Sequence, residues 1–152
     1  MESVQPRIEL ASRLVGQGLE IGAGHWPFPV GDDALDVTYV SRHTPEDERR
    51  LFPEVDESHD FGRVDIVADL DTDGLAVFAD ASLDFAIASH VLEHLAAPLW
   101  GLQELLRVVR PGGFVVLVLP DRRRTFDRER DGTTNEHLFR EHAAGCLLYT
   151  SD

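Results

Sequence analysis

Residues 18–24, with the sequence GLEIGAG, constrain the fold of this chain more than any other segment. An apolar run that carries a carboxylate at Glu20 leads directly into Gly22 and Gly24, which one residue separates. Glycine has no β-carbon, so this turn can adopt positive φ angles and let a ligand lie against bare backbone. The segment predicts a buried strand that ends in a small-molecule cradle. A tight turn after a buried strand is the alternative, and the glycine spacing alone does not decide between them.

Four further segments have the composition of strands. Residues 85–88 and 114–119 are almost wholly apolar, as in strands covered on both faces. Residues 36–40 and 64–67 are rich in β-branched and aromatic side chains. Helical patterns or loops separate the five segments, which predicts an α/β fold: a Rossmann-like, doubly wound sheet of five parallel strands with helices on both faces. In such sheets ligands bind beyond the carboxyl ends of the strands, near the point where strand order reverses.

Helix signals lie before, between and after these strands. Residues 7–15 place apolar side chains on one helical face, and residues 45–52 form a charged segment that begins with proline. Pro98 opens a third helix, which the RPGG sequence at residues 110–113 is predicted to end. A threonine and a glutamate at residues 133–136 have the spacing of a capping box and predict a last helix that extends to about Ala144.

Composition narrows the set of partners. The 152 residues suffice for one hydrophobic core, and we expect a single domain over residues 1–145. With 28 acidic and 14 basic residues the net charge is −14, so we expect neither nucleic acid nor a membrane as a partner. The one cysteine, Cys146, allows no internal disulfide. The N-terminus lacks the basic-then-apolar order of a signal peptide, and we expect a cytoplasmic location.

The residues that follow the predicted strands are small, polar or acidic. They are Glu20, Gly22, Gly24, Ser41, Asp69, Leu70, Ser89, His90, Pro120 and Asp121. Carboxylates, hydroxyls and bare backbone at one edge of a sheet can hold a ligand that carries hydroxyl groups, an amino group and a purine.

In order and spacing, these segments resemble the class I S-adenosylmethionine-dependent methyltransferases over residues 18–121. The most specific part is SLDFAIASHVLEHL at residues 82–95, followed by RPGGFVVL at residues 110–117. The resemblance implies that the cofactor is S-adenosyl-L-methionine. It also implies that the reaction transfers a methyl group. The acidic composition argues against a nucleic-acid acceptor and leaves a small molecule, a lipid, a sugar or a protein side chain.

The resemblance further implies a set of cofactor-binding residues: Glu20, Gly22, Ala23, Gly24, Ser41, Asp69, Leu70, Ser89 and His90. By this resemblance the glycine turn would lie along the methionine part of the cofactor. Asp69 would accept a hydrogen bond from the adenine amine, with Leu70 on the other side of the ring. Ser89 and His90 would lie near the sulfonium and the opening to the substrate.

The sequence departs from the family at two places. The family usually has an acid that binds both ribose hydroxyls where this chain has Ser41, and loss of that charge should cost about 1–2 kcal/mol of binding. We therefore expect weak cofactor binding, which Ser41→Asp should tighten. Residues 25–29, with two prolines, replace the usual helix after the glycine turn. Trp26 and Phe28 in that loop either line the cofactor pocket or pack the loop.

His90 is the candidate catalytic residue. An imidazole can take a proton from a substrate hydroxyl or amine at neutral pH, and Asp121 is a second candidate for the same role. Methyl transfer from a sulfonium needs an aligned acceptor more than it needs a nucleophilic side chain. The alternative function is a non-catalytic, cofactor-binding remnant of the same fold, which Ser41 and the incomplete C-terminal end of the chain favour.

Other site types fit the sequence less well. Residues 90–94 match the zinc-peptidase pattern H-x-x-E-H, but Pro98 begins a new helix soon afterwards, and we expect no metal. A dinucleotide site needs a third glycine, and Pro27 takes its place. The acids at positions 71, 73, 80 and 84 lack the spacing of a calcium loop and are expected to be solvated. The three arginines at residues 122–124 either clamp an anionic substrate or form a charged surface loop.

Two further expectations concern the C-terminal end of the chain. The sequence CLLYTSD at residues 146–152 resembles translated sequencing-adapter read-through, and we expect that this tail is not native. The family normally adds two more strands after this point, and the sequence supplies neither. We therefore expect the C-terminal strand pair to be missing, which would expose the edge of the fifth strand.

Overall fold

The computed structural model describes residues 4–31, 35–53 and 62–145, so the C-terminal tail at residues 146–152 lies outside the described residues. The strands are β1 (Gly16–Ile21), β2 (Leu35–Ser41), β3 (Ile66–Val67), β4 (Leu83–Ser89) and β5 (Val109–Val118). The α-helices are α1 (Val4–Ala11), α2 (Pro45–Leu51), α3 (Pro98–Val108) and α4 (Asn135–Ala143). Short 3₁₀ turns occupy residues 92–94, 122–124 and 126–129.

The described strands form one parallel sheet in the order β3-β2-β1-β4-β5. The chain moves outward from β1 through β2 to β3, then crosses back to place β4 on the other side of β1. The strand order therefore reverses between β1 and β4, and the predicted doubly wound α/β fold is confirmed. The carboxyl ends of these two strands mark the place where such folds bind ligands.

Separate hydrophobic clusters cover the two faces of the sheet. On one face, Leu105 and Val108 of α3 pack among strand residues such as Leu19 and Ala86, all of them fully buried. On the other face, Ala11 and Leu14 from the α1 region join a cluster that contains Phe28, Phe85 and Ile87. Phe28 is 2% exposed and therefore packs the loop into the core, which decides between its two predicted roles.

The start of β5 differs from the prediction. The RPGG sequence does not separate α3 from a strand at residue 114, because β5 begins at Val109 and includes those four residues. Pairing with β4 shifts register between Leu83 and Phe85, so the extra residues bulge out of the ladder. A β-carbon on Gly113 would lie 2.4 Å from the Asp84 carbonyl oxygen, so only glycine allows the two strands to approach this closely.

Smaller differences concern the helices. The first helix ends at Ala11 rather than continuing to residue 15, and residues 12–15 form a turn that leads into β1. The capping residue of α4 is Thr134, whose hydroxyl accepts a hydrogen bond from the His137 N–H. Within the described ranges, no helix combines the length and the apolar character needed to cross a membrane.

Strand β5 carries apolar side chains at the edge of the sheet. Among the described residues it pairs only with β4, and the exposed fractions of its Phe114 and Leu117 side chains are 50% and 37%. An exposed edge strand with large apolar side chains favours association with other chains.

Candidate functional site

One cleft of about 1520 Å³ lies at the carboxyl ends of the strands. It is lined by every residue that the sequence assigned to cofactor binding: Glu20, Gly22, Ala23, Gly24, Ser41, Asp69, Leu70, Ser89 and His90. Doubly wound sheets bring the ends of non-consecutive strands together in this way, so residues from four segments of the chain share one cavity.

The glycine turn has the backbone conformation that its sequence predicts. Gly22 and Gly24 have φ angles of +65° and +54°, in the left-handed region that favours glycine. The Gly22 N–H donates to the Val40 carbonyl at 2.9 Å, which holds the turn against β2. A β-carbon on Gly22 would lie 3.0 Å from Val91 Cγ2. In the described residues that follow, up to residue 31, no helix begins, so the turn offers no helix N-terminus to a pyrophosphate.

Glu20 lies behind this turn and has a structural role that the sequence did not indicate. Its side chain is fully buried, and both carboxylate oxygens accept from the Phe28 N–H, at 2.9 and 3.0 Å. The carboxylate therefore ties the loop at residues 25–29 to β1. Burial raises the pKa of Glu20 to about 7, against the lowering effects of the Phe28 hydrogen bond and the nearby Arg7 charge.

Arg7 of α1 is a cleft residue that the sequence analysis missed. Its guanidinium donates to the carbonyls of Trp26 and Pro27, at 3.1 and 3.3 Å, and lies 5.0 Å from the centre of the Phe28 ring. Its Nε atom is buried without a hydrogen-bond partner among the described residues. A single cation within an apolar helical face, upstream of a Trp-Pro-Phe sequence, is the signal that could have found it.

Ser41 lies at the end of β2 and is paired with a second missed residue, Glu48 of α2. The Ser41 hydroxyl donates to Glu48 Oε1 at 2.7 Å, and both residues are buried, at 5% and 8% exposure. Ser41 Oγ also accepts from the His43 N–H at 3.3 Å. An aspartate at position 41 would place a second carboxylate against Glu48, so the tighter cofactor binding expected of Ser41→Asp no longer follows.

The helical phase of α2 was the signal for Glu48. Glu48 precedes by four residues the cleft-lining Phe52, which directly follows α2, so the helical period places both residues on the same side of this segment. The Thr44 side chain caps this helix by accepting from the Asp47 N–H. The high charge of the segment obscured the signal, because charged helices are usually solvated.

Asp69 lies in the cleft wall after β3, and its carboxylate already has partners. Oδ2 is 2.9 Å from Arg42 Nε, and Oδ1 accepts from the Asp71 N–H at 3.0 Å. The Arg42 side chain is 63% exposed, so this ion pair contributes little and can yield to another donor.

His90 follows β4 in an unusual backbone conformation. Its φ angle is +56°, in a region that costs a residue with a β-carbon about 1–2 kcal/mol, and its N–H donates to the Val118 carbonyl at 2.9 Å. The ring Nδ1 lies 3.1 Å from Glu93 Oε1, and the side chain is 39% exposed. Backbone strain of this kind concentrates at functional sites.

Asp121, the second candidate base, is a poor one. The Arg123 side chain binds it and lowers its pKa to about 2. A carboxylate with so low a pKa holds a proton weakly at neutral pH and is a weak base. Of the three consecutive arginines, Arg124 lines the cleft.

The structure also bears on the alternative metal sites. The zinc-peptidase pattern needs an α-helical turn, whereas residues 92–94 form a 3₁₀ turn that follows a left-handed residue. Among the described residues, no group of three or more His, Cys, Asp or Glu side chains is placed to hold a metal ion.

Of the four aspartates expected to be solvated, Asp73 and Asp80 are exposed, whereas Asp71 and Asp84 are partly buried and bind backbone N–H groups, so the expectation was wrong for those two. Asp71 accepts from the N–H groups of Ala96 and Ala97, at the start of α3. Asp84 links Gln17 of β1 to Arg110 of β5. Asp73 and Asp80 accept from the Asp69 N–H and the Arg107 guanidinium.

Comparison with known proteins identifies the family. Residues 19–117 match the sequence profile of a family described as a methyltransferase domain, which is more than half of the 152 residues. The chain belongs to this methyltransferase family. Its parallel sheet and its motifs make it a class I S-adenosylmethionine-dependent member, as the sequence resemblance implied.

An uncharacterized methyltransferase of Mycolicibacterium paratuberculosis is 40% identical to this methyltransferase domain over an alignment of 108 residues, which covers 62% of the chain and 42% of the relative. Two solved structures share the fold. The PH0226 protein from Pyrococcus horikoshii has a TM-score of 0.59 and 23% identity over 93% of this chain and 60% of that one. A SAM dependent methyltransferase from Aquifex aeolicus has a TM-score of 0.56 and 15% identity over 96% of this chain and 77% of that one.

The methyltransferase domain spans about two fifths of the length of the curated relatives that it matches, 42% of one and 37% of another. Both are named as uncharacterized methyltransferases, so their names specify the type of reaction and no acceptor.

The buried Glu20 carboxyl should make the stability of the domain depend on pH. Its pKa is about 7 in the folded state and 4.5 ordinarily, so between these values the folded chain holds a proton that the unfolded chain releases. The stability that this proton contributes is fully present below about pH 4.5 and is lost as the pH rises through 7. As the pH rises across this range, the free energy of unfolding in urea should fall by up to about 3 kcal/mol more for the unchanged chain than for Glu20→Gln.

Glu46→Gln is the matched control, because Glu46 is exposed on α2 and its replacement removes the same charge. It should follow the pH dependence of the unchanged chain. A free-energy difference between the chain and Glu20→Gln that stays constant from pH 4.5 to pH 8 would contradict the role assigned to Glu20.

Proposed function

We propose that this domain binds S-adenosyl-L-methionine in the cleft and transfers its methyl group to a non-nucleic-acid acceptor. One observation carries the proposal: the residues that the family motifs assign to the cofactor all line one cavity at the reversal point of the sheet. When bound, the cofactor supplies an electrophilic methyl group on a sulfonium.

The residues present suit such a cofactor. The glycine turn exposes backbone in a conformation that excludes side chains, which suits close contact with the aminoacyl part. Asp69 offers a carboxylate acceptor to the adenine amine, beside the buried Leu70. The cleft volume of about 1520 Å³ exceeds the roughly 300–1,000 Å³ typical of a pocket for one ligand, which leaves room for an acceptor.

His90 is the proposed general base. A carboxylate can only accept a hydrogen bond, so contact with Glu93 favours the tautomer in which Nδ1 carries the proton. In that tautomer Nε2 carries the lone pair that can receive a proton from an acceptor hydroxyl or amine. Glu93 is then a positioning residue, which orients the ring and sets its tautomer.

The acceptor belongs to one of four proposed classes: a small molecule, a lipid, a sugar or a protein side chain. Exposed apolar side chains at the cleft, among them Trp26 and Leu119, favour an acceptor with an apolar part. The net charge of −14 disfavours nucleic acid. A cytoplasmic location remains part of the proposal.

A cofactor-binding domain without turnover is the second candidate. The observation that favours it is the Arg42–Asp69 ion pair, which occupies the carboxylate that the adenine amine would use. Cofactor binding is common to both candidates, whereas product formation is required only by the first.

Calorimetric titration with S-adenosylmethionine, S-adenosylhomocysteine and NAD tests the proposal. Both adenosyl-sulfur compounds should bind with Kd values on the order of micromolar, and NAD should not bind. Gly22→Ala should weaken binding about tenfold or more, because a β-carbon at φ +65° forces the turn to move. Gly31→Ala is the control, since a β-carbon there meets nothing within 4 Å. A folded chain that binds neither adenosyl-sulfur compound would contradict the proposed function.

The tautomer of His90 tests its role as a base. Nitrogen-15 NMR of the side chain at pH 8 should show the proton on Nδ1, because Glu93 accepts it. Glu93→Ala should shift the ring toward the Nε2-protonated tautomer. If the unchanged chain already carries its proton on Nε2, Glu93 does not position the ring, and this part of the mechanism is wrong.

A further inference from the structure

We propose that Glu48, a residue of α2, supplies the carboxylate that binds the ribose hydroxyls of the adenosyl cofactor, in place of an acid at the end of β2. This inference rests on the proposed function and adds a specific binding residue to it.

Glu48 lies near the end of β2 and lines the same cleft as the glycine turn. Doubly wound folds bind the ribose of an adenosyl ligand with an acid that lies near the end of β2, next to the glycine turn. In this chain β2 ends at Ser41, and the preceding residue, Val40, accepts from the Gly22 N–H at 2.9 Å. Glu48 contacts Ser41 directly and lines the same cleft as Gly22. Its carboxylate is therefore where this fold class requires an acceptor.

The hydrogen bond between Ser41 and Glu48 leaves one carboxylate oxygen of Glu48 available to a ligand. Ser41 donates its hydroxyl proton to Glu48 Oε1, so Ser41 does not offer that proton to a ligand. Within the described part of the chain, Glu48 Oε2 accepts no hydrogen bond. Among the described residues, Arg7 Nε is the one fully buried side-chain nitrogen or oxygen without a hydrogen-bond partner. Glu48 Oε2 also has no partner there, so it is not fully buried and a ligand can reach it. A ribose hydroxyl that donated to Oε2 would form a charge-assisted hydrogen bond, which is stronger than a hydrogen bond to a neutral acceptor.

The burial of Glu48 also supports the proposal. Glu48 is 8% exposed on a helix whose other acids, Glu46 and Asp47, are more exposed. A buried carboxylate is costly unless it is paired, and among the described residues the only side chain bonded to Glu48 is the neutral Ser41. Two ribose hydroxyls would complete its set of donors. The carboxyl group that position 41 lacks is thus supplied to the cleft by the next helix.

The test compares two ligands on three proteins by calorimetry. The ligands are S-adenosylhomocysteine and its 2′-deoxy counterpart, which lacks one of the two hydroxyls. The proteins are the unchanged chain, Glu48→Gln and Glu46→Gln, the last removing a charge from an exposed position of the same helix. The unchanged chain should bind the deoxy ligand about 10-fold more weakly, and Glu48→Gln should bind S-adenosylhomocysteine about 10- to 100-fold more weakly.

The decisive result is the coupling between the two changes. If Glu48 contacts the hydroxyl, Glu48→Gln should bind the two ligands with nearly equal affinity, because the interaction has already been removed. Glu46→Gln should keep the full difference. A purely structural Glu48 would weaken both ligands equally in Glu48→Gln and keep the 10-fold difference, which would overturn the inference.

Two outcomes separate this inference from the proposed function. If the unchanged chain binds S-adenosylhomocysteine and its deoxy counterpart equally, only the ribose assignment fails. If it binds neither, the proposed function fails and the ribose assignment fails with it. Should Glu48→Gln not fold, Glu48→Asp keeps the charge and withdraws the carboxylate by one methylene, and it should likewise lose the discrimination between the ligands.

Discussion

The hydrogen bonds from the Phe28 N–H to the buried Glu20 carboxylate are the contact on which the site depends. They join the end of β1 to the loop that follows the glycine turn, at 2.9 and 3.0 Å. The same loop places Phe28 in the core and its carbonyls, at Trp26 and Pro27, against Arg7 of the first helix. A strand, a turn and a helix are thus held together around one fully buried acid. In this chain that network takes the place of the helix that usually follows the glycine turn.

The acids around the cleft have two different roles, which the composition alone does not distinguish. Glu20 and Asp71 bind backbone N–H groups and fix loops, whereas Asp69 and Glu48 lie in the cleft wall with weak or neutral partners. Carboxylates of the second kind can exchange their partners for hydroxyl or amino groups of a ligand. A net charge of −14 therefore reflects both structural ties and candidate ligand contacts.

Much of the fold followed from sequence patterns. The apolar strands, the proline at the start of α3 and the positive φ angles at the glycine turn are local properties, and the structure confirms them. The start of β5 was missed because Gly113 tolerates a close approach to Asp84 that depends on the neighbouring strand. Glu48 and Arg7 each had a weak local signal in their helical phase, but their roles in the site depend on tertiary contacts with Ser41 and Phe28. Local sequence predicts where strands end, but it does not predict which distant side chains complete the site.

A crystal structure of the chain with S-adenosylhomocysteine tests most directly whether the carboxyl edge of this sheet binds an adenosyl-sulfur cofactor. We expect ligand density in the cleft, with the aminoacyl part against the turn at Gly22, the ribose at Glu48 and the adenine beside Asp69. Density for the ligand at another surface, with this cleft left empty at saturating concentration, would contradict this expectation.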